Sequence, residues 1–167
     1  MKVRILFLIC FLSITCLLNA ADKPVIQIHT DNSSLIFRVA DNGRLYQSYL
    51  GKKLNHEADI SHLPQGTEAY ITHGMEDYFE PAIHILHNDG NPSLLLKYVS
   101  HETKAVSQGV NETIITLGDD KYPVTVKLHY VTYPAEDIIK TYTEISHKEK
   151  KPVVLHQYAS SCLLYTS

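Results

Sequence analysis

The sequence contains little of several residue types, and each shortage excludes a class of protein. It has 167 residues with seven Gly, seven Pro, three Cys, two Met and no Trp. The low glycine and proline contents exclude a collagen-like or low-complexity chain. Hydrophobic residues make up 44% and charged residues 20% of the chain, a globular rather than a disordered composition. The length suits one domain but not a (β/α)₈ barrel, which needs about 250 residues.

Basic residues are too few and too scattered for a nucleic-acid-binding surface. The 15 Lys and Arg residues are outnumbered by 18 Asp and Glu residues, which gives a formal net charge of -3. The densest basic run holds only Lys148, Lys150 and Lys151. Because binding to phosphates requires a basic face, we exclude nucleic acid as a partner.

The first 20 residues have the features of a secretory signal peptide. Lys2 and Arg4 precede an apolar run over residues 5–18, and small residues follow up to Ala21. This run is shorter than the roughly 20 apolar residues that span a bilayer. We therefore assign residues 1–20 as a signal peptide and expect a secreted or periplasmic protein without a membrane span. Loss of Lys2 and Arg4 leaves 13 of the 15 basic residues against 18 acidic ones, a net charge of -5.

The C-terminal hexapeptide, residues 162–167, follows a predicted strand without any turn or polar tail. One back-translation of it matches a transposon end used in preparing sequencing libraries, so we interpret these residues as adapter sequence and expect the domain at residues 21–161. Cys10 and Cys16 belong to the signal peptide and Cys162 to the hexapeptide. No disulfide is then expected, and the core alone has to stabilise the domain.

Alternating apolar and polar residues dominate the chain from Val25 onward. Val124, Val126, Leu128 and Tyr130 share one predicted strand face, and polar residues alternate with them. The turn signals Asp41-Asn42-Gly43 and Asp89-Gly90 predict tight hairpins. The pattern predicts an all-β fold, an antiparallel β-sandwich. Its expected strands are Val25–His29, Ser34–Val39, Leu45–Leu50, Ala82–Leu86, Leu94–Ser100, Glu112–Leu117, Val124–Val131, Ile138–Ser146 and Val153–Ser160.

The stretch from Lys52 to Pro81 is polar, long and without alternation. Long irregular connections in compact domains are often functional loops. Residues 76–80 within it combine Glu76, Asp77 and Tyr78 with a further aromatic and acid. This mixture suits a sugar site, which needs hydroxyl partners and a stacking ring, but it equally suits a loop anchored by its aromatic side chains. The residues alone favour the anchored loop.

Other catalytic chemistries find no support in the residues. The chain has ten His, but His84 and His87 lie on opposite faces of a predicted strand, and no Cys pair or His-Glu-x-x-His accompanies them. A Gly-x-Ser-x-Gly elbow is missing. Asp119 and Asp120 follow Gly118 and are typical turn residues. We predict no metal, no cofactor and no catalytic residue within this chain.

Several segments together resemble the N-terminal domain of glycoside hydrolase family 36 α-galactosidases. The resemblance extends over about residues 25–160 and implies a supersandwich-like β-domain. Its motifs are looser than a metal or nucleophile signature. It rests on the run from Leu35 to Leu54 with Leu45-Tyr46-Gln47 and Tyr49-Leu50-Gly51-Lys52-Lys53-Leu54, on Tyr70, Gly74, Asp77, Tyr78, Pro81 and Ala82, on Leu96-Lys97-Tyr98, and on the strand from Tyr130 to Tyr133-Pro134.

The resemblance implies a function for the parent protein. Family members are retaining exo-glycosidases that release terminal α-linked galactose with two Asp residues. Both Asp residues lie on a barrel that follows this domain, so none can be assigned here. A loop of the N-terminal domain can reach the sugar pocket of its own or a neighbouring subunit. Within this chain we name Asp59, Asp77, Tyr70 and Tyr78 as its substrate-binding candidates, although the loop is shorter than in longer members.

The leading hypothesis is a truncated, exported α-galactosidase of which only the N-terminal domain is present and inactive alone. Its expected partners are an α-galactoside oligosaccharide, its own barrel and a second subunit in a homo-oligomer. The alternatives are a stand-alone secreted carbohydrate-binding β-sandwich and a purely structural periplasmic domain. The first alternative requires a natural end near Ser167 and enough exposed aromatic residues to bind sugar alone.

Overall fold

A computed structural model describes residues 23–74, 80–160 and 163. Ten strands and one short helix form in this part of the chain, and every pairing between strands is antiparallel. The all-β, antiparallel prediction is confirmed. No helix among the described residues is long and apolar enough to cross a membrane. The elements are β1 Val25–His29, β2 Ser33–Val39, β3 Leu45–Lys52, α1 Glu57–Ser61, β4 Thr67–Glu68, β5 Ile83–Leu86, β6 Leu96–Ser107, β7 Val110–Asp119, β8 Val124–Tyr133, β9 Ile138–His147 and β10 Val154–Tyr158.

The first sheet has the order β1-β2-β3-β4. Its β2–β3 hairpin closes through Ala40, whose N–H donates to the Arg44 carbonyl at 3.0 Å, and Gly43 has the positive φ of +78° that a tight turn requires. The hairpin expected at Asp41-Asn42-Gly43 is therefore confirmed. A register shift in β3 leaves Ser48 unpaired, and its hydroxyl donates to the Gln65 carbonyl at 3.0 Å.

A second four-stranded sheet has the order β6-β7-β8-β9. Its apolar side chains share one buried cluster with those of the first sheet, and the rings of Phe37 and Tyr130 lie 5.1 Å apart across that core. The predicted face of β8 is confirmed, because Val124, Val126, Leu128 and Tyr130 are all buried in this cluster. Burial of these apolar side chains is the main stabilising contribution in the described part of the chain, which contains no cysteine.

Among the described residues, the third sheet consists of β5 and β10, which pair with each other. The prediction of a tight hairpin at Asp89-Gly90 is wrong. Gly90 does have a positive φ of +83° and its N–H donates to the His87 carbonyl at 2.9 Å. The turn, however, does not join paired strands, because β5 pairs with β10 and β6 pairs with β7. Turn residues identify a local bend, whereas strand pairing depends on distant parts of the chain.

Gly66 is fixed by a close backbone approach. Its φ is +80°, and a Cβ at this position would lie 1.9 Å from the carbonyl oxygen of Gln47. Only glycine satisfies both the dihedral angle and the space. This contact brings the end of the long connection back onto β3, just before β4.

Candidate functional site

Helix α1 places Asp59 on the surface of the first sheet. The helix is a single five-residue segment inside the long connection, and Ile60 is its one buried residue. The Arg38 guanidinium donates to the Ile60 carbonyl, and the Gln27 amide donates to the Glu57 carboxylate at 3.4 Å. Both contacts come from the outward-facing side of β1 and β2, so α1 lies across that side. Asp59 is exposed on the helix, as a residue that contacts a separate substrate or domain must be.

A cleft of about 440 Å³ lies between α1 and the first two strands. Its lining includes positively and negatively charged side chains and one side-chain amide. The residues are Lys23, Val25, Gln27, Arg38, Glu57, Ile60 and Ser61. The lining has no aromatic ring against which a sugar could stack, and Asp59 is not part of it.

Tyr70 lies in the core rather than at a rim. It is 1% exposed, and its hydroxyl donates to the Ala159 carbonyl at 2.9 Å. Burial raises the pKa of Tyr70 to about 12. The side chain therefore joins the end of the long connection to the segment after β10. Tyr70 is thus buried in the core, whereas Asp59 is exposed on α1.

Asp77 and Tyr78 lie outside the described residues. The flanks of their segment are described: Thr72 forms an isolated bridge with Ile83, and the Gln157 amide donates to the Glu80 carboxylate and the Pro81 carbonyl, both at 3.0 Å. The described residues on both sides of the gap, Thr72 before it and Glu80 and Pro81 after it, thus contact the β5–β10 sheet. Its role in substrate binding stays a prediction.

Three histidines also meet at the β5–β10 sheet, namely His73, His84 and His156. The rings of His73 and His84 stack at 3.8 Å, and the ring of His156 lies 4.8 Å from His84. Burial and the two neighbouring imidazoles lower the pKa of His84. Stacked rings do not direct their nitrogens at one point, and residues 23–74 and 80–160 contain no group of three or more potential metal ligands.

His87, which the sequence analysis compared with His84, has a packing role. Its Nδ1 lies 2.6 Å from the Glu149 carboxylate, both side chains are buried, and its ring stacks on Tyr122 at 3.5 Å. The Asn88 N–H also donates to Glu149, at 3.0 Å. This group ties the loop after β5 to the connection between β9 and β10.

The outward face of the second sheet holds a polar cluster that the sequence analysis missed. It consists of Lys104, Glu112, His129, Tyr142 and Glu144. Glu112 accepts hydrogen bonds from Tyr142 at 2.6 Å, from His129 at 2.9 Å and from Lys104 at 3.0 Å. These three hydrogen bonds, of which the one from Tyr142 has the largest effect, lower the pKa of Glu112 to about 2. Alternation already placed His129 opposite the core face, but only the strand register brings it to Glu112.

The comparisons with known proteins identify the fold just described. Residues 26–166 match the glycosyl hydrolase family 36 N-terminal domain. The chain belongs to this family. The resemblance seen in the sequence is therefore confirmed, over almost the same residues. No curated protein sequence matches the chain.

Solved structures share the architecture of this family 36 domain. An α-galactosidase from Lactobacillus brevis is 17% identical with a TM-score of 0.69, and the match covers 83% of this chain and 23% of that one. The galactosidase domain of an α-galactosidase–sucrose kinase is 21% identical with a TM-score of 0.72, covering 83% and 24%. A family 36 α-galactosidase from Geobacillus stearothermophilus is 17% identical with a TM-score of 0.73, again covering 83% and 24%.

The TM-scores of 0.69 to 0.73 show that the domain shares the fold of these structures. The chain spans about a quarter of the length of the structures it matches. Three quarters of each structure therefore has no counterpart in this family 36 domain. The described residues of the domain accordingly share the architecture of these structures, and they include Asp59.

Proposed function

We propose that this chain is the N-terminal β-sandwich domain of an exported α-galactosidase. The observation that carries the proposal is the family 36 match over residues 26–166, together with structural neighbours that are α-galactosidases and are about four times longer than the matched part. The parent is a glycoside hydrolase by family. Its proposed reaction is hydrolysis of terminal α-galactosyl groups from oligosaccharides by a retaining mechanism.

The catalytic carboxylates of the proposed enzyme belong to the part of the parent that this chain does not contain. A retaining glycosidase needs a nucleophile and an acid/base about 5–5.5 Å apart on either side of the scissile bond. Two buried carboxylates of the described residues have structural partners instead: Glu149 pairs with His87 and Glu68 with Arg44. The chain alone is therefore expected to be inactive.

The exposed apolar side chains of β10 support the proposal that this domain packs against a further domain. Val154, Leu155 and Tyr158 are 50%, 42% and 66% exposed, so apolar side chains project from both sides of this strand. Exposed apolar groups that cluster on a strand favour a packing partner. We propose that these side chains pack against the catalytic domain.

The proposed substrate class is an oligosaccharide with a terminal α-linked galactose. A G. stearothermophilus neighbour was crystallised with raffinose and another with stachyose. We propose Asp59, Asp77 and Tyr78 as the residues of this domain that contact such a substrate. Tyr70, being buried, would act by holding the connection that carries them. Export depends on residues 1–20, which lie outside the described residues.

The test compares two proteins, the 167-residue chain and the product of the complete reading frame beyond Ser161. Both are assayed with p-nitrophenyl α-D-galactopyranoside and with raffinose, and the anomer released first is identified by proton NMR. We expect α-galactose from the longer protein and no turnover by the chain. A reading frame that stops within a few codons, or a longer protein that hydrolyses no α-galactoside, would overturn the proposal in favour of a binding domain.

A further inference from the structure

The outward face of the β6–β9 sheet buries an imidazole beside Glu112, Ile114 and Val131. His129 is 5% exposed although its strand face points away from the core. Tyr142 accounts for this burial: its ring lies over the imidazole with 4.3 Å between centroids and 12° between planes, and its hydroxyl continues to Glu112. The two nitrogens of His129 are consequently held in fixed positions.

The bond to Glu112 defines which nitrogen carries the proton. Nδ1 of His129 lies 2.9 Å from Oε1 of Glu112, and Lys104 forms an ion pair with the other oxygen of that carboxylate at 3.0 Å. A carboxylate only accepts hydrogen bonds, so Nδ1 must donate. In the neutral ring this leaves Nε2 with a lone pair and no proton.

The lone pair of Nε2 then faces a negative charge. Nε2 is buried without any hydrogen-bond partner, and Oε2 of Glu144 lies 3.6 Å from it. This separation is too long for a hydrogen bond. A lone pair and a carboxylate repel each other unless a cation lies between them, and Glu144, with its side chain 58% exposed, is free to adjust toward one.

We propose that Nε2 of His129 and the carboxylate of Glu144 bind a divalent transition-metal ion such as Zn²⁺. Ligand atoms about 2.1 Å from a tetrahedral zinc lie about 3.4 Å apart, close to the 3.6 Å between these two atoms. Glu112 occupies the position of the carboxylate that orients a metal-binding histidine through its other nitrogen. Lys104 and Tyr142 hold that carboxylate in turn.

The ligand types select the class of ion. An imidazole nitrogen with one carboxylate favours Zn²⁺, Ni²⁺ or Cu²⁺ over Ca²⁺ and Mg²⁺, which prefer oxygen ligands alone. Two protein ligands leave the remaining positions to water, so the expected affinity is lower than that of a structural zinc site with four protein ligands. The ion would join β8 to β9 on the side of the sheet opposite the core.

The experiment uses the full chain and ZnCl₂ at pH 7.5. Calorimetry measures the number of sites and the affinity, and long-range ¹H–¹⁵N NMR follows the ring nitrogens of His129, assigned with the variant His129→Gln. We expect Zn²⁺ to shift the Nε2 resonance and to bind at least about tenfold more weakly in Glu144→Gln. Glu102→Gln is the matched control, because Glu102 is an exposed acid two strands away on the same face and its loss should leave the affinity unchanged.

Several outcomes would overturn the proposal. One is equal stoichiometry and affinity in the wild type and in Glu144→Gln, a variant of an exposed side chain that is expected to fold. Another is an Nε2 that carries a proton at pH 7.5 and keeps it at saturating Zn²⁺, since the cation between the two groups would then be the proton. A third is binding of Ca²⁺ as tight as that of Zn²⁺. These results are independent of whether the parent hydrolyses galactosides.

Discussion

The Tyr142 ring lies over the imidazole of His129, and its hydroxyl reaches past that ring to Glu112 on the next strand but one. One side chain of β9 thus both covers a histidine of β8 and donates to a carboxylate of β7. We expect Tyr142→Phe, which keeps the ring and removes the hydroxyl, to lower the free energy of unfolding by about 1.5–3 kcal/mol. Urea unfolding measures this change.

A matched variant separates the hydrogen bond from the stacking of the rings. Tyr142→Leu removes both and should lose more stability than Tyr142→Phe, since it also uncovers His129. Equal stability of Tyr142→Phe and the wild type would show that the hydroxyl of Tyr142 contributes nothing to the cluster.

The second prediction concerns the stability of the domain in acid. The pKa of Glu112 is about 2 in the folded protein because Tyr142, His129 and Lys104 donate to its carboxylate, whereas an unfolded Glu titrates near its ordinary value of about 4.3. The contribution of Glu112 is therefore fully present above this ordinary value and is lost as the pH falls toward 2. Urea unfolding between pH 6 and pH 2.5 should show a steeper loss of stability for the wild type than for Glu112→Gln. Parallel curves for the two proteins would contradict it.

The third prediction uses two glycines with nearly the same dihedral angle. Gly66 and Gly90 have φ values of +80° and +83°, but only at Gly66 would a Cβ meet the backbone, while at Gly90 nothing lies within 4 Å. Gly90→Ala should cost about 1–2 kcal/mol from the left-handed conformation alone. Gly66→Ala should cost clearly more or prevent folding, because the Gln47 carbonyl has to move. Thermal unfolding of both variants measures the difference, and similar melting temperatures would refute the role given to the close approach.

The fourth prediction concerns the buried pair of His87 and Glu149, whose side chains are almost completely buried. Glu149→Ala removes the acceptor of both the His87 ring and the Asn88 N–H, and we expect a loss of about 3–5 kcal/mol. Glu136→Ala, at an exposed position of the β8–β9 turn, serves as the control and should change stability by less than about 0.5 kcal/mol. Comparable losses in the two variants would show that the pair does not stabilise the fold.

The fifth prediction addresses the substrate contacts in the complete enzyme. Because Asp59 is exposed on α1, Asp59→Ala should leave the melting temperature unchanged and raise KM for raffinose, with kcat less affected. Asp77→Ala should likewise weaken substrate binding more than it affects folding. Unchanged kinetics with a lowered melting temperature would assign either residue a structural role instead.

Much of the fold follows from local sequence, and what does not follow has a physical cause. β1 has the predicted bounds Val25–His29 because strict alternation marks both of its ends. β6 instead extends to Ser107, beyond the predicted Ser100. The prediction missed this second half because it is exposed on both faces and has no apolar alternation. The two-residue β4 depends on the approach of Gly66 to β3, which no local pattern encodes.

The candidate site was less accessible to sequence reasoning. The sequence indicates that Asp59 is a loop acid, and the structure exposes it on α1. The family pattern makes Tyr70 a substrate-binding candidate, yet its environment is the core. The Glu112 cluster needed the register of three strands, a relation between residues far apart in the chain, and it therefore emerged only from the structure.

The pairing of β5 with β10 also has a consequence for the order of events during synthesis. Strand β5 emerges from the ribosome long before its partner strand β10, and Tyr70 lies 89 positions before Ala159, which accepts its hydrogen bond. Contacts this distant in sequence slow folding because a long loop has to close first. The hairpins β1–β2–β3 and β6–β7–β8–β9 have short connections and can form as the chain appears. The closing of the β5–β10 sheet should then be the late, rate-limiting step, completed only once residues 154–160 have left the ribosome.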